Sequence, residues 1–274
     1  MPELPEVQAH AERLTRDYGG VTLERFTPLS ITAMKTFAPD PTLAHGQPLV
    51  GVNRRGKYLL LDFGTLTFAV HLMQGGRLKP DAKQAPRPPK NVLARWRFDD
   101  ARALMLTEAG HERRAGVWTD PDVALARLGP EALEVTPAEL AERFAAHPMR
   151  LHGFLRDQGC IAGLGRRLAN EICHRAKLSP FASTAKLGFD GAERVVDAIE
   201  VCVDEGLAYE RTRKDMSSSA DRPGNVHGRA GEPCPVCGDI VRSVRYSAYT
   251  VAYCPTCQTG GKILADNVTS KFLK

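Results

Sequence analysis

Residues 231–258 read GEPCPVCGDIVRSVRYSAYTVAYCPTCQ, a stretch framed by two CxxC pairs, Cys234 with Cys237 and Cys254 with Cys257. Four thiolates at such spacing bind Zn²⁺ tetrahedrally at about 2.3 Å and hold together a hairpin too small for its own core. Redox-active CxxC pairs are the alternative, but they usually begin a helix in a βαβ unit, which the sequence lacks. The stretch therefore predicts one structural zinc ion in a C-terminal zinc-finger β-hairpin.

The rest of the chain has the composition of a globular protein that can bury a core. Hydrophobic residues make up 43% and charged residues 25% of the 274, and the net charge of +5 weakly favours a polyanionic partner. No apolar run is long enough to span a bilayer, and the N-terminus does not resemble a secretory signal. We therefore expect a cytoplasmic, nucleoid-associated protein without a membrane partner, in which three further cysteines are small buried hydrophobes: Cys160, Cys173 and Cys202.

Hydrophobic periodicity divides the remaining sequence into a β-rich part and a helical part. Residues 7–18 predict an amphipathic helix, and residues 57–72 and 93–107 predict two β-hairpins separated by a proline-rich loop at 80–89. After residue 120 the pattern becomes helical. A capping box in residues 136–139 begins a helix through Ala146, and further helices are predicted at 149–158, 165–177 and 190–207, followed by a polar loop at 213–232.

The predicted fold class is α+β multidomain. It comprises an N-terminal helix plus β-sandwich in residues 1–120, a helical domain with the polar loop in 121–230, and the zinc finger with the C-terminal tail in 231–274.

A glycine-rich turn leads into the helix that starts near residue 165. Residues 163–171 read GLGRRLANE, and a helix N-terminus of this kind offers unpaired N–H groups and a positive dipole end to a phosphate. Arg166 and Arg167 would oppose that dipole unless an anion binds there. A tight turn without a ligand is the alternative interpretation.

The N-terminal residues 1–7, MPELPEV, offer a nucleophile. Removal of Met1 would expose the secondary amine of Pro2, and an α-amino group titrates near 7.7–8.0, against about 10.4 for a lysine. A neutral amine can attack a sugar C1′ to give an iminium that acts as an electron sink, and the adjacent Glu3 could transfer the proton. An ordinary N-terminal proline is the alternative.

Together these segments resemble the Fpg/Nei family of DNA glycosylases, that is, formamidopyrimidine-DNA glycosylase and endonuclease VIII. The resemblance rests on MPELPEV at 1–7, RGKYLL at 55–60, the segment from Asp157-Gln158 to Glu171, GEPC at 231–234 and CPTCQ at 254–258. It implies a helix–two-turn–helix in the helical domain, damaged DNA as partner and a monomeric protein.

The resemblance also implies roles for individual residues. Pro2 would form a Schiff base, Glu3 would be the general acid, Lys57 on its strand would contact the lesion phosphate, and Glu171 would support the sugar. The implied DNA contacts are His71, Met73 and Gln74 in a wedge loop, Gly163, Gly165 and Arg166 in the helix–two-turn–helix, and Arg242 and Arg245 in the finger. Without the resemblance, Lys57 and Glu171 are interpreted as solvated side chains.

Three departures from the family pattern concern residues that would bind DNA. Arg166 stands where the family has Asn, and Tyr249 stands where the finger has a phosphate-binding Arg, for which Arg242 and Arg245 are the candidate substitutes. Residues 107–118 lack the Arg-Phe wedge of the formamidopyrimidine branch, which favours an endonuclease VIII-like member. We expect weaker or redirected DNA binding with the Pro2–Glu3 chemistry retained.

These observations lead to three hypotheses of function. The first is a bifunctional DNA glycosylase/AP lyase of base excision repair that excises oxidised bases and cuts the strand by β- and δ-elimination. The alternative is a protein that binds damaged or abasic DNA with little turnover, which Arg166 and Tyr249 favour. A third, a zinc-ribbon accessory factor of transcription or translation, explains only the C-terminal segment.

Overall fold

The computed structural model describes residues 1–109, 113–216, 221–246 and 249–264. The chain folds into two compact units: Met1–Arg127 with Leu207–Ser219, and Leu128–Gly206 with Ala220–Lys274. The predicted division into three domains stays a prediction. Within the described ranges, no helix is both long enough and apolar enough to cross a membrane.

The first unit contains a leading helix and two four-stranded antiparallel sheets, which confirms the predicted helix plus β-sandwich. Helix α1 (Leu4–Tyr18) ends at Gly19. The sheets have the strand orders β1-β6-β7-β5 and β2-β3-β4-β8. The strands are β1 (Leu23–Pro28), β2 (Gly51–Arg55), β3 (Tyr58–Asp62), β4 (Thr67–His71), β5 (Gly76–Pro80), β6 (Val92–Phe98), β7 (Ala103–Glu108) and β8 (Gly116–Trp118), with a short helix α2 (Pro121–Leu125) after them.

Both predicted hairpins are present, as β3–β4 and β6–β7. The predicted proline-rich loop at 80–89 is wrong at its first residue, because Pro80 is the last residue of β5. Strand β5 lies at the edge of its sheet, where a residue without an N–H need not donate to a neighbouring strand.

Aromatic rings form the centre of the sandwich core. The ring centroid of Phe26 lies 4.7 Å from that of Phe68 and 4.9 Å from that of Trp96. Helix α1 contributes the apolar stripe that its periodicity predicted, Val7, Ala11, Leu14 and Tyr18, all of which are buried in this cluster. The helix is therefore fixed to the sandwich by apolar burial, which stabilises folding by about 25 cal/mol per Å².

The second unit is mainly helical and ends in a hairpin. Its elements are α3 (Pro137–Ala146), α4 (Leu151–Arg156), α5 (Arg166–Arg175), most of α6 (Gly188–Arg211), β9 (Arg242–Arg245), β10 (Thr250–Tyr253) and α7 (Pro255–Thr259). The capping box is confirmed: the backbone N–H of Thr136 donates to Glu139 Oε2 at 2.8 Å. Helix α6 continues to Arg211, beyond the predicted end at 207. Residues 217–220 of the predicted polar loop lie outside the described residues, as do 110–112 of the segment compared with the family wedge and 265–274 of the tail.

Candidate active site, DNA-binding surface and zinc centre

The candidate nucleophile lies at the start of α1. Glu3, only 6% exposed, immediately precedes the helix, and its backbone N–H donates to Glu6 Oε2 at 2.8 Å. Pro2 is half-buried and Met1 is exposed. The buried Glu6 carboxylate therefore fixes the backbone direction at Pro2 and Glu3. We did not single out Glu6 from the sequence, although an acidic residue at the third helical position is the signal of a capping box.

Lys57 lies in a turn rather than in a strand. The structure corrects this expectation: Gly56 and Lys57 form the two-residue connection between β2 and β3. Gly56 has φ of 56°, a conformation that such hairpin turns need and that glycine adopts without strain. Lys57 is only 6% exposed, so the solvated interpretation of this lysine is also wrong.

The loop after β4 carries Met73 and Gln74, whereas His71, which was expected in this loop, is the last residue of β4. The backbone N–H of Met73 donates to His71 Nδ1 at 3.1 Å, and Met73 has φ of 49°. Burial, followed by the positive charge of Lys57, lowers the pKa of His71 to about 4, so the imidazole is neutral at neutral pH. Met73 is half-buried and Gln74 is exposed, which leaves the tip of the loop accessible to a ligand.

The glycine-rich turn adopts the geometry that its sequence predicted. Gly163 has φ of 98°, in the region that favours glycine. The Gln158 side chain closes the turn, accepting from the Gly163 N–H at 3.1 Å and donating to the Leu164 carbonyl at 2.8 Å. Gly165 has an extended φ of −134° and Arg166 begins α5. Phosphate binding here stays a prediction.

Glu171 holds a loop of its own unit. Its carboxylate accepts from the backbone N–H groups of Asn225 at 2.7 Å, Val226 at 3.1 Å and His227 at 2.7 Å, and from Asn225 Nδ2 at 3.2 Å. Glu171 is buried, so the solvated interpretation of this residue is wrong. These contacts make it a positioning residue for residues 225–227, and contact with a sugar stays a prediction.

Asn170, which we did not single out from the sequence, connects three segments. It is only 1% exposed. Its Nδ2 lies 2.8 Å from His227 Nδ1, and its Oδ1 accepts from the Ala252 N–H at 3.2 Å. Helix α5 is thereby joined to the polar loop and to strand β10. No local pattern marks such a residue, because its partners lie far along the chain.

Tyr249 packs against α4. Its ring is stacked at 4.8 Å on the ring of Tyr246 and at 6.0 Å on that of His152, and the Arg156 guanidinium lies 4.0 Å from its centroid. Arg150 Nη1 donates to Tyr246 Oη at 2.6 Å. The tyrosine that replaces the expected arginine is therefore held against α4 by aromatic and cation–π contacts.

A cationic cavity of about 560 Å³ lies beside this stack. Among its lining residues are Arg166, Arg245, His227 and Tyr249, and none of the described lining residues is acidic. Burial, followed by the charge of Arg167, lowers the pKa of His227 to about 4, so the arginines carry the positive charge. The structure brings Arg166 and Arg245 to one cavity, whereas Arg242 is exposed elsewhere on β9.

The four predicted zinc ligands converge. Cys234 Sγ lies 4.0 Å from Cys257 Sγ, and Cys237 Sγ lies 3.4 Å from Cys254 Sγ. Tetrahedral zinc with Zn–S bonds of about 2.3 Å places its sulfur atoms about 3.8 Å apart, so the four thiols fit the ion. The predicted structural zinc is confirmed. The other three cysteines are buried as expected, and burial raises the pKa of Cys202 to about 12.

Comparison with known proteins identifies the family. Residues 1–118 match the family model of the formamidopyrimidine-DNA glycosylase N-terminal domain, and residues 231–260 match that of a zinc finger found in FPG and IleRS. A formamidopyrimidine-DNA glycosylase of Symbiobacterium thermophilum is 33% identical over 282 residues, covering 94% of this chain and 89% of that protein. The chain belongs to the formamidopyrimidine-DNA glycosylase family.

A second relative is similar in sequence, and a solved structure shares the fold. An uncharacterized formamidopyrimidine-DNA glycosylase-like protein of Mycobacterium tuberculosis is 42% identical over 158 residues, covering 54% of this chain and 94% of that protein. The crystal structure of Lactococcus lactis Fpg in complex with DNA containing an oxidised pyrimidine has the same fold, with a TM-score of 0.82 and 22% identity, covering 94% of this chain and 100% of that one. The predicted family, fold class and DNA glycosylase enzyme class are confirmed, whereas the leaning towards the endonuclease VIII branch is not.

Proposed function

We propose that this family member is a bifunctional DNA glycosylase/AP lyase that excises oxidised bases through a Schiff base on Pro2. The observation that carries the proposal is the start of α1, where a buried Glu6 carboxylate holds the backbone N–H of Glu3. This contact orients the residue pair that would carry the nucleophile and the acid. The proposal requires removal of Met1, because only an N-terminal proline has a secondary amine.

The reaction begins with displacement of the damaged base. The neutral amine of Pro2 attacks C1′ of the lesion sugar, the base leaves with the electron pair of the glycosidic bond and takes up a proton, and the amine loses its own proton. The C1′–O4′ bond then breaks to form the iminium, and Glu3 supplies the proton for the O4′ hydroxyl of the opened sugar. The resulting iminium withdraws electrons from the sugar. Loss of a C2′ proton then expels the 3′ phosphate, a second elimination expels the 5′ phosphate, and water hydrolyses the imine to release the amine. No external oxidant or reductant is needed.

The lesion base must leave the stack, because its glycosidic bond cannot be reached inside a duplex. The loop carrying Met73 and Gln74 is the candidate wedge that fills the gap. Its accessible tip supports this assignment, and the strained φ of Met73, 49°, is the kind of backbone feature that concentrates at functional sites.

Arg166 and Arg245 would hold a backbone phosphate at the cationic cavity. Both arginines line one cavity without a carboxylate among its described residues, and arginine matches phosphate geometry well. The complex of the Lactococcus lactis relative with oxidised-pyrimidine DNA supports damaged DNA as the partner. We propose that the protein acts on it as a monomer.

Borohydride trapping tests the chemistry. Protein with processed Met1 is incubated with duplexes that contain an abasic site or an oxidised pyrimidine, and the imine is reduced to a stable adduct. We expect a covalent adduct with the wild type and a weaker one with Pro2→Gly, because the primary amine of glycine lacks the pyrrolidine ring that keeps the intermediate cationic. Undamaged duplex is the control.

The alternative function is binding of damaged DNA with little turnover. Tyr249 favours it, because its ring is committed to the stack with Tyr246 and His152 and adds no positive charge. Tight binding to abasic DNA without a trapped adduct would support this alternative and refute the proposed chemistry.

A further inference from the structure

The zinc centre has five candidate donors for an ion that takes four. Besides the four cysteines, His174 in the last turn of α5 places Nε2 3.4 Å from Cys234 Sγ. The ligand atoms of His174, Cys234, Cys254 and Cys257 all lie within 4.8 Å of one another. Zinc accepts a set of three cysteines and one histidine as well as a set of four cysteines. The structure thus contains a second set of the right composition.

Cys237 differs from the other three cysteines of the finger. It is exposed, whereas Cys234 and Cys254 are buried and Cys257 is partly buried. Its Sγ approaches Cys254, but it does not belong to the mutual cluster that contains His174. Cys237 and His174 are therefore the two alternatives for a fourth position, and the remaining three thiolates are common to both.

His174 is well placed for this role. It is only 4% exposed, and a buried imidazole needs polar partners. With zinc on four thiolates, its Nε2 can donate to Cys234 Sγ as an outer-shell contact. In a tetrahedral site of three cysteines and one histidine, the distance between nitrogen and sulfur ligands is about 3.5 Å. The observed 3.4 Å therefore suits coordination without rebuilding of the helix.

We propose that His174 is a reserve zinc ligand. When Cys237 is unavailable, the finger holds its ion through Cys234, Cys254, Cys257 and His174. Loss of a common thiolate cannot be compensated in this way. Cys237 does not belong to the mutual cluster of His174, so the two do not bind the ion together and only three protein donors remain. The finger thus tolerates loss of its most accessible thiol.

Zinc content of two matched alanine variants of the full chain tests the proposal. After gel filtration in zinc-free buffer, we expect Cys237→Ala to keep about one zinc per chain and Cys257→Ala to lose most of it. Cobalt substitution identifies the ligands. In Cys237→Ala, the sulfur-to-cobalt charge-transfer absorption should fall to about three-quarters of the wild-type value, because three thiolates donate in place of four, and the ligand-field bands should shift to higher energy.

The double variant Cys237→Ala/His174→Gln should lose the ion, while His174→Gln alone should keep it with the four-thiolate cobalt spectrum. Far-ultraviolet circular dichroism of each variant checks folding, and His174→Phe replaces His174→Gln if the latter packs poorly. The proposal is overturned if Cys237→Ala loses zinc as readily as Cys257→Ala. It is equally overturned if the double variant retains the ion, because another donor then completes the site.

Discussion

In the β-sandwich, residues of α1 and of both sheets pack into one large apolar cluster around Phe26, Phe68 and Trp96. Around the finger, the corresponding cluster consists of Cys234, Val241, Ala252 and Cys254 together with Val226 of the preceding loop, and Cys257 packs against it. So small a core cannot offset the conformational entropy of its own chain, and the metal must supply the difference. One region is thus stabilised by apolar burial and the other by four bonds to an ion.

The two regions also present their candidate functional groups differently. Glu3 and Lys57 in the first unit are buried, whereas Arg242 and Arg245 on the finger hairpin are exposed. Buried groups suit chemistry that needs fixed orientation, and exposed cations suit contact with phosphates. The two departures from the family pattern, Arg166 and Tyr249, lie in the second unit and are half-buried.

Removal of zinc should give the largest effect. Structural zinc contributes about 10–16 kcal/mol of folding free energy in finger peptides, so a strong chelator should unfold the finger and abolish binding to abasic DNA. Trp96 and Trp118, the two tryptophans of the chain, both lie in the sandwich. We expect their fluorescence emission to stay unchanged on chelation. A red shift of the emission would show that the sandwich also depends on the metal.

Arginine replacement should have a smaller effect. Arg245 lines the cationic cavity, whereas Arg242, on the same strand, does not. Arg245→Ala should weaken binding to abasic duplex by about 10-fold or more, as a charged hydrogen bond contributes about 1.5–3 kcal/mol, and should reduce the salt dependence by about one phosphate contact. Arg242→Ala is the matched control. Equal losses in fluorescence-anisotropy titrations would contradict the assigned cavity.

Acid should destabilise both regions, through different histidines. Burial lowers the pKa of His10 in the first unit to about 4, and that of His152 in the second to about 3. In the unfolded chain, each histidine binds a proton near pH 6.5. The free energy of unfolding therefore falls as the pH drops below about 6.5. The contribution of His10 levels off near pH 4, where the folded protein also binds the proton. For each histidine, the free energy of unfolding changes by at most about 1.4 kcal/mol per pH unit.

This slope can be measured for the sandwich by urea unfolding, followed by tryptophan emission at about pH 7, 6 and 5. An unfolded histidine titrates in this range. His10→Gln should flatten the slope, because the glutamine amide can still donate to the Leu78 carbonyl, the partner of His10 Nε2, but does not titrate. His152→Gln should leave it unchanged, since His152 belongs to the other compact unit. A flattened slope in His152→Gln would show that the two units unfold together.

Much of the fold could be predicted because it depends on short-range patterns. A few neighbouring residues are enough to predict the apolar spacing of α1, the two hairpins and the capping box at Thr136. The position of Lys57 could not be predicted, because the hairpin register depends on whether Gly56 begins a turn or continues a strand. Glu6 was missed although its local signal was present.

The sequence by itself predicted the zinc ligands, the Pro2–Glu3 pair and the glycine turn, because chelating spacing, chain order and backbone conformation are local properties. Only the tertiary structure decided what surrounds them. Asn170 contacts Ala252, 82 residues away, and His174 contacts Cys234, 60 residues away. Such polar contacts form only after apolar burial has brought distant segments together, and they leave no periodic trace in the sequence.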